Sequence, residues 1–507
     1  MTMNAAAVLL ESGQPERIAL ACGAERVTYG ALRDAVARAA AAWLERGVSH
    51  GDRVAIKLAD GCAWVGAYLG AMWAGAVAVA VNPRLPADDW RYIVGEGGFR
   101  FILADAGDDT APDFRHRVVA LGEWLGAARD AVPMPPQPMH EESPAFWTHS
   151  SGTSGKPKAV VHAHRFALHV ERVGAELFGV TGDDRLFASS KLFFAYPLGN
   201  SLFTGLKLGA TVVLDPQWPS AGSVAATMAE QRPSVLFSVP SLYRNLLKDG
   251  FAAKFARQGL RRCVSAGEAL PPSLRDAWRK ETGITIVDGY GASETLSLAL
   301  VDMGTGAGLL PAPGVAVQAL DPHGAPPMRV RIHTPGLALG YWNRPDADAE
   351  NFRDGAFCPA DLFERGSGGS WRFSGREDSL VKIAGRWVNL IELEQRLAAS
   401  CPNIAEAAAV SATDADGVAA VALFYVPKGG APIHSDAGLR SCVDALPPHQ
   451  RPRWLRALDA LPRTATGKLL RRKLQDLHRR LAAHDEDAPP ATVERDAASA
   501  TVERQVH

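Results

Sequence analysis

The 507-residue chain has little cysteine, and what it has is scattered. The six thiols, at positions 22, 62, 263, 358, 401 and 442, contain no CxxC pair, which excludes a disulfide framework and a redox or zinc motif of that type. Reduced thiols in a cytoplasm are the simpler expectation. An excess of charge is also missing: 54 Lys and Arg stand against 55 Asp and Glu, for a net charge of -1. A general polyanion-binding surface, and with it a nucleic-acid partner, is therefore not expected, although a local basic pocket for phosphates is allowed. The opening MTMNAAAVLLESGQPER has no basic stretch before its apolar patch, so it does not read as a secretory signal. Only one long hydrophobic run occurs, Ala63 to Val81, and its length alone would suggest a membrane span. Gly66, Gly70 and Gly75 interrupt it, and AVAVAV ends at Asn82-Pro83. The expectation is a buried helix followed by a buried strand, and no membrane partner.

What is present is the composition of a globular protein, 47% hydrophobic and 21% charged. Short apolar runs such as RVAIKLA, RFILADA, ATVVLD, VLFSVP and ITIVDGY alternate with helical patterns, which predicts α/β layers with largely parallel sheets. The segment from Gly122 to Pro144, with its VPMPPQPM cluster, reads as a loop within one large domain. A glycine-rich, charged break, ERGSGGSWRFSGREDS, precedes a strand-turn-helix pattern of α+β type. The expected division is 1–377 as a large N-terminal domain, 378–483 as a small C-terminal domain, and 484–507 as a disordered tail.

Chemistry concentrates first in Thr148 to Lys158, THSSGTSGKPK. Ser151, Thr153 and Ser154 alternate with Gly152 and Gly155, so hydroxyls and backbone N–H groups can approach a phosphate chain without a Cβ in the way. Lys156 and Lys158 add positive charge. The Walker spacing is not met, because Pro157 occupies the place of its second glycine. Downstream come SAGEALP at Ser265, DGYGASET at Asp288, Asp361 in PADLF, GRED at Gly375 and PRTATGK at Pro462.

This ordered set resembles the adenylate-forming superfamily of acyl-CoA synthetases, peptide-synthetase adenylation domains and luciferases, over roughly residues 20–475. The resemblance implies a large layered α/β domain carrying a small, mobile α+β C-terminal domain. It implies that Ser151 to Lys158 holds the β- and γ-phosphates of ATP, with Thr153 taking part in catalysis. Gly267, Glu268, Ala269, Asp288, Gly289 and Tyr290 would form the adenine slot, with Gly291 and Ser293 completing the nucleotide site. Glu294 would hold Mg²⁺, a hard cation that prefers carboxylate oxygen. Asp361 and Arg376 would bind the ribose, and Lys468 would be the catalytic lysine of the small domain. Asp378 matches the family's hinge position, and Gly385, in KIAGRW, would pass the thin pantetheine arm of coenzyme A. Two departures stand close by, Ser379 where an acidic residue is often found and Leu390 where a proline is often found.

The segment Lys191 to Leu202, KLFFAYPLGNSL, is similar to that of benzoate-type CoA ligases, which implies that Ala195, Tyr196 and Gly291 line an acid pocket suited to a flat ring. Pro197 stands where a glycine is usual, so a substituted benzoate, a heteroaromatic acid and a short to medium aliphatic acid all stay open. His149, His162 and His164 could face the site, but a strand-exit or capping role suits the HxH pair better, and no third ligand suggests a metal. The basic stretch LLRRKLQDLHRR at Leu469 reads as a solvated terminal face. The favoured enzyme makes an acyl-AMP and then an acyl-CoA. The alternatives are an enzyme that loads a separate carrier protein and a catalytically silent nucleotide- or acyl-binding protein. Oligomeric state is not readable from the chain.

Overall fold

The apolar run resolves into a helix, Cys62–Trp73, and a strand, Val77–Ala80. Ten of the twelve helix residues are buried, as expected of a helix that is hydrophobic all round. It packs among the helix Tyr29–Glu45 and strands of two sheets, in one core cluster that takes Ile56, Ala78 and Phe146 from one sheet and Leu20, Val212 and Leu214 from the other. Each fully buried side chain of this size contributes about 1.5–3 kcal/mol relative to exposure. The computed structural model describes residues 1–107, 112–151, 156–321, 323, 326–383, 386–413, 418–428, 437–462 and 469–485. Among them, no helix is long and apolar enough to cross a membrane.

The first sheet runs in the order Gly340–Tyr341, Pro157–Ala163, Pro144–Ser151, Val77–Ala80, Arg53–Lys57, Phe101–Ala104, Val118–Ala120. The second runs Leu310–Pro311, Leu300–Asp302, Ile286–Tyr290, Arg262–Ser265, Val235–Ser238, Arg185–Ala188, Thr211–Leu214, Ile18–Cys22, Glu25–Thr28. Its six strands from Ile286–Tyr290 to Ile18–Cys22 are all parallel. This is the α/β architecture expected from the alternating runs. The segment after Gly122 departs from expectation: Leu121–Asp130 is a helix that buries Trp124, and only the proline-rich stretch after Ala131 is irregular.

Contacts divide the chain into two compact units. The larger comprises Met1–Gly324, Met328–Pro359 and Arg365–Arg372, and the smaller Ala325–Pro327, Ala360–Glu364 and Phe373–His507. The smaller unit holds a hairpin, Leu380–Ile383 with Arg386–Asn389, and a sheet of Ile404–Thr413, Ala419–Pro427 and Trp454–Ala457. The helix Leu390–Ser400 packs on that sheet's core, as Leu393, Leu397, Val421 and Leu423 share one cluster. Asn389 caps this helix, its side chain accepting from the N–H groups of Ile391 and Glu392. Leu390 takes the first helical position, where proline is also tolerated, and is buried, so the departure replaces a rigid start with an apolar anchor. The basic stretch is more than a solvated face. Within the helix Arg471–Asp485, Leu474 and His478 are buried, and Arg471 reaches Glu394 Oε2 at 2.8 Å.

Candidate active site

Ligands of open α/β sheets bind outside the carboxyl ends of the parallel strands. Here Val235–Ser238, Arg262–Ser265 and Ile286–Tyr290 are neighbours whose carboxyl ends align, with Ser238 beside Ser265 and Ser265 beside Asp288. Two of the expected adenine-slot motifs therefore leave adjacent strands at the same edge. Gly267 and Ala269 are exposed and Glu268 half-buried in the loop after Ser265; Asp288 and Tyr290 are half-buried, and Gly289 is buried.

The segment expected to line the acid pocket reaches the same edge. Tyr196 donates its hydroxyl to the Val264 carbonyl at 3.1 Å, one residue before Ser265. Ala195–Pro197 begins a helix that continues as a π-helical stretch, Leu198–Phe203, and returns to α over Thr204–Lys207. Pro197 sits in the first turn, where its missing N–H has no intrahelical partner to lose. Gly199 lets the helix press on the loop after Glu294: a Cβ there would lie 2.8 Å from the Leu296 carbonyl oxygen. Asn200 fixes the same contact by accepting from Leu298 N–H at 3.3 Å. Beneath the segment, buried Asp60 accepts from Leu192 N–H at 3.1 Å, and burial pushes its carboxyl up to about 7. Burial lowers Lys191, whose ammonium donates to the Asp215 carbonyl at 2.5 Å.

Glu294 lies in a turn between the strands Ile286–Tyr290 and Leu300–Asp302 and is buried. Its Oε1 accepts the Tyr341 hydroxyl at 2.6 Å, and its backbone carbonyl accepts Ala338 N–H at 2.9 Å. Buried His162 meets the Ser293 carbonyl through Nε2 at 2.9 Å. Burial lowers its imidazole to about 4, so it is neutral and donates there. His164 caps the first helix, since Nδ1 accepts from Ala5 N–H at 3.0 Å; of the HxH pair, expected in a strand-exit or capping role, this residue is the one that caps. His149 is likewise pushed down to about 4 by burial.

On the basic side, Lys156 Nζ lies 5.1 Å from the centre of the Tyr92 ring and Lys158 Nζ 4.2 Å from that of Tyr341. The loop between the hairpin strands, with Gly152, Thr153, Ser154 and Gly155, lies outside the described residues, as does the Ser151 side chain. Gly385 and Lys468 also fall outside them, and Asp378 is described only as part of the 3₁₀ turn Glu377–Ser379. In the smaller unit, Asp361 and Arg376 are joined at 3.2 Å on neighbouring strands. No local sequence motif marks Tyr341, Tyr92 or Asp60. The Gly340-Tyr341 step before Asn343-Arg344-Pro345 was the available signal for the first, an aromatic in a short strand closed by a turn.

The sequence model described as AMP-binding enzyme matches residues 10–342, and that of the AMP-binding enzyme C-terminal domain matches 392–468. The chain belongs to the AMP-binding enzyme family. It is 38% identical over 504 residues to a 3-hydroxybenzoate–CoA ligase of Aromatoleum sp. (strain CIB), covering 92% of this chain and 95% of that protein. With a 3-hydroxybenzoate–CoA/4-hydroxybenzoate–CoA ligase of Thauera aromatica it shares 36% identity over 519 aligned positions, 94% and 97% of the two chains. Among solved structures, the anthranilate CoA ligase AuaEII in complex with anthranoyl-AMP matches with a TM-score of 0.84 at 26% identity, covering 95% of this chain and 98% of that one.

Proposed function

We propose that this protein is an AMP-forming aryl-CoA ligase that activates a benzoate-like acid with ATP and transfers the acyl group to coenzyme A. The observation that carries the reading is that the segment proposed for the acid and the two motifs proposed for adenine meet at one sheet edge, with Tyr196 bonded to Val264 and Ser265 paired beside Asp288. The hydroxybenzoate specificity of the relatives supports a flat, substituted ring as the acid.

A carboxylate has a poor leaving group. Its oxygen attacks the α-phosphorus of ATP, pyrophosphate departs, and the acid becomes a mixed anhydride with AMP. The thiol sulfur of coenzyme A then attacks the acyl carbon and AMP leaves. The first step crowds negative charge, which fixed cations stabilise by position. Lys156, Lys158 and the loop Ser151 to Gly155 would hold the outer phosphates, while Asp361 and Arg376 would hold the ribose. Lys468 would bring a point charge on a flexible stem to the transferring group. Gly385 would clear the path for pantetheine, and Asp378 would serve as the hinge that exchanges the two arrangements.

Glu294 fits a magnesium ion. It offers hard carboxylate oxygen, and Mg²⁺ characteristically takes one or two carboxylates and completes its shell with phosphates and water. When bound, the ion supplies charge neutralisation on the nucleotide phosphates. All six cysteines are free thiols, which supports a reducing, cytoplasmic setting.

The test is a panel of benzoates, heteroaromatic acids and aliphatic acids, scored by AMP production with and without coenzyme A. Hydroxybenzoates should be the best substrates and should give acyl-CoA. A carrier-loading enzyme would form acyl-AMP without consuming coenzyme A.

A further inference from the structure

The two sides of the site, one acidic and one basic, are joined by a single aromatic ring. Tyr341 lies in the edge strand Gly340–Tyr341, paired with Val160 and Val161 of the strand that begins Pro157-Lys158. Lys158 and Val160 are two residues apart and share a face of that strand, which brings the Lys158 ammonium over the Tyr341 ring at 4.2 Å. The hydroxyl at the far end of the ring donates to Glu294 Oε1 at 2.6 Å. Both Tyr341 and Glu294 are buried.

The backbone holds the ring in this place from several directions. Tyr341 N–H donates to Asp348 Oδ1 at 2.7 Å, and Trp342 and Leu339 donate to the Ala159 and Val161 carbonyls at 3.0 and 2.8 Å. Gly340 has φ +144°, and a Cβ there would lie 2.9 Å from the Asp348 carboxylate, so only glycine permits this approach. A cation over a ring face is attracted by its quadrupole and draws electron density from it. The phenol thereby becomes a stronger donor to the carboxylate, in a short charge-assisted bond.

We propose that Tyr341 is a positioning residue that couples Lys158 to Glu294 and fixes the carboxylate's orientation for the cation-nucleotide complex. The proposal rests on the reading above that Glu294 meets the metal. Hydrogen-bonded partners of metal-ligating carboxylates contribute about 10–100-fold in metal affinity.

The experiment is equilibrium Mn²⁺ binding in the presence of α,β-methylene-ATP, read by the electron paramagnetic resonance of free Mn²⁺, on wild type, Tyr341→Phe, Glu294→Gln and the double variant. Phenylalanine keeps the seat for Lys158 and the edge contact with Phe352 at 5.3 Å, and melting curves confirm the fold. Tyr341→Phe should weaken Mn²⁺ binding about tenfold, Glu294→Gln should weaken it further, and the double variant should match Glu294→Gln alone. Wild-type Mn²⁺ binding by Tyr341→Phe beside an impaired Glu294→Gln would overturn the proposal and leave Glu294's role intact. Unchanged binding by Glu294→Gln would remove the Glu294 assignment and this coupling with it.

Discussion

Asp288 and Asp302 are register partners across two antiparallel strands, and their carboxylates have different surroundings. Asp302 accepts from the N–H groups of Gly304, Thr305 and Gly306, from the Thr305 hydroxyl, and from Arg275 at 3.4 Å. Asp288, facing that charge, is pushed up to about 7, by burial first and by Asp302 second. Between about pH 4 and about 7 the folded chain therefore holds a proton at Asp288 that the unfolded chain has lost. Stability should fall as pH rises through that window and level off above it. Asp60, raised to about 7 by burial, adds a slope of the same sign. Asp288→Asn should flatten the fall in denaturation midpoint between pH 5 and pH 8, and Asp60→Asn combined with it should flatten it further. An unchanged slope in the double variant would show that neither group is protonated in the native state.

Asp60 should also act on the acid. Its carboxylate holds Leu192 N–H at 3.1 Å, three residues before Ala195. Asp60→Ala leaves a buried donor unpaired, a loss on the order of 1–3 kcal/mol, and loosens the start of the helix proposed to line the acid pocket. The KM for the acid should rise several-fold while the KM for ATP stays within about twofold. Asp60→Asn, which keeps an acceptor oxygen, should restore most of the loss. Equal rises in both KM values would point to a general disturbance of the fold.

The layered α/β fold was legible because its strands are short apolar runs set apart by helical patterns, and Cys62–Trp73 with Val77–Ala80 follows directly from glycine and proline punctuation. The phosphate-loop motif stands out in the sequence because a loop built to approach phosphate needs glycine and hydroxyl residues in close succession, while its residues 152–155 lie outside those the structure describes. Tyr341 and Asp60 do not stand out, because each acts across a long sequence separation: Tyr341 on Glu294, 47 residues away, and Asp60 on Leu192, 132 residues away. No local pattern encodes such pairing. The helix in Leu121–Asp130 was obscured by the proline cluster that follows it, and the buried face of Arg471–Asp485 by the many basic residues that flank Leu474 and His478 in sequence.

The proposed division of labour between the two half-reactions gives another prediction. Lys468→Ala should abolish acyl-AMP formation from acid and ATP, while preformed acyl-AMP still reacts with coenzyme A. Gly385→Leu should show the opposite pattern, because a side chain in the proposed pantetheine path would obstruct only the thiol step. Rapid-quench measurement of each half-reaction separates the two. Equal loss of both half-reactions in either folded variant would contradict the alternation.

Tyr196 and Ala195 should separate in their effects although they are adjacent. The Tyr196 hydroxyl is committed to the Val264 carbonyl at 3.1 Å, and that carbonyl also accepts the Tyr243 hydroxyl at 3.0 Å. Tyr196→Phe therefore removes one of two donors to a single acceptor and leaves the carbonyl satisfied, for a loss of about 0.5–1.5 kcal/mol. The ring stays in place, so the KM for the acid should remain within about twofold. Ala195, buried at the first position of the helix, has no polar side-chain atom and is the residue proposed to line the acid pocket. Ala195→Leu should raise the KM for ring-substituted benzoates far more than for benzoate itself, because the added methyl groups compete with the substituent. Steady-state kinetics on both variants with benzoate and the hydroxybenzoates makes the comparison. A tenfold rise in acid KM for Tyr196→Phe would place the hydroxyl on the substrate instead of on the core.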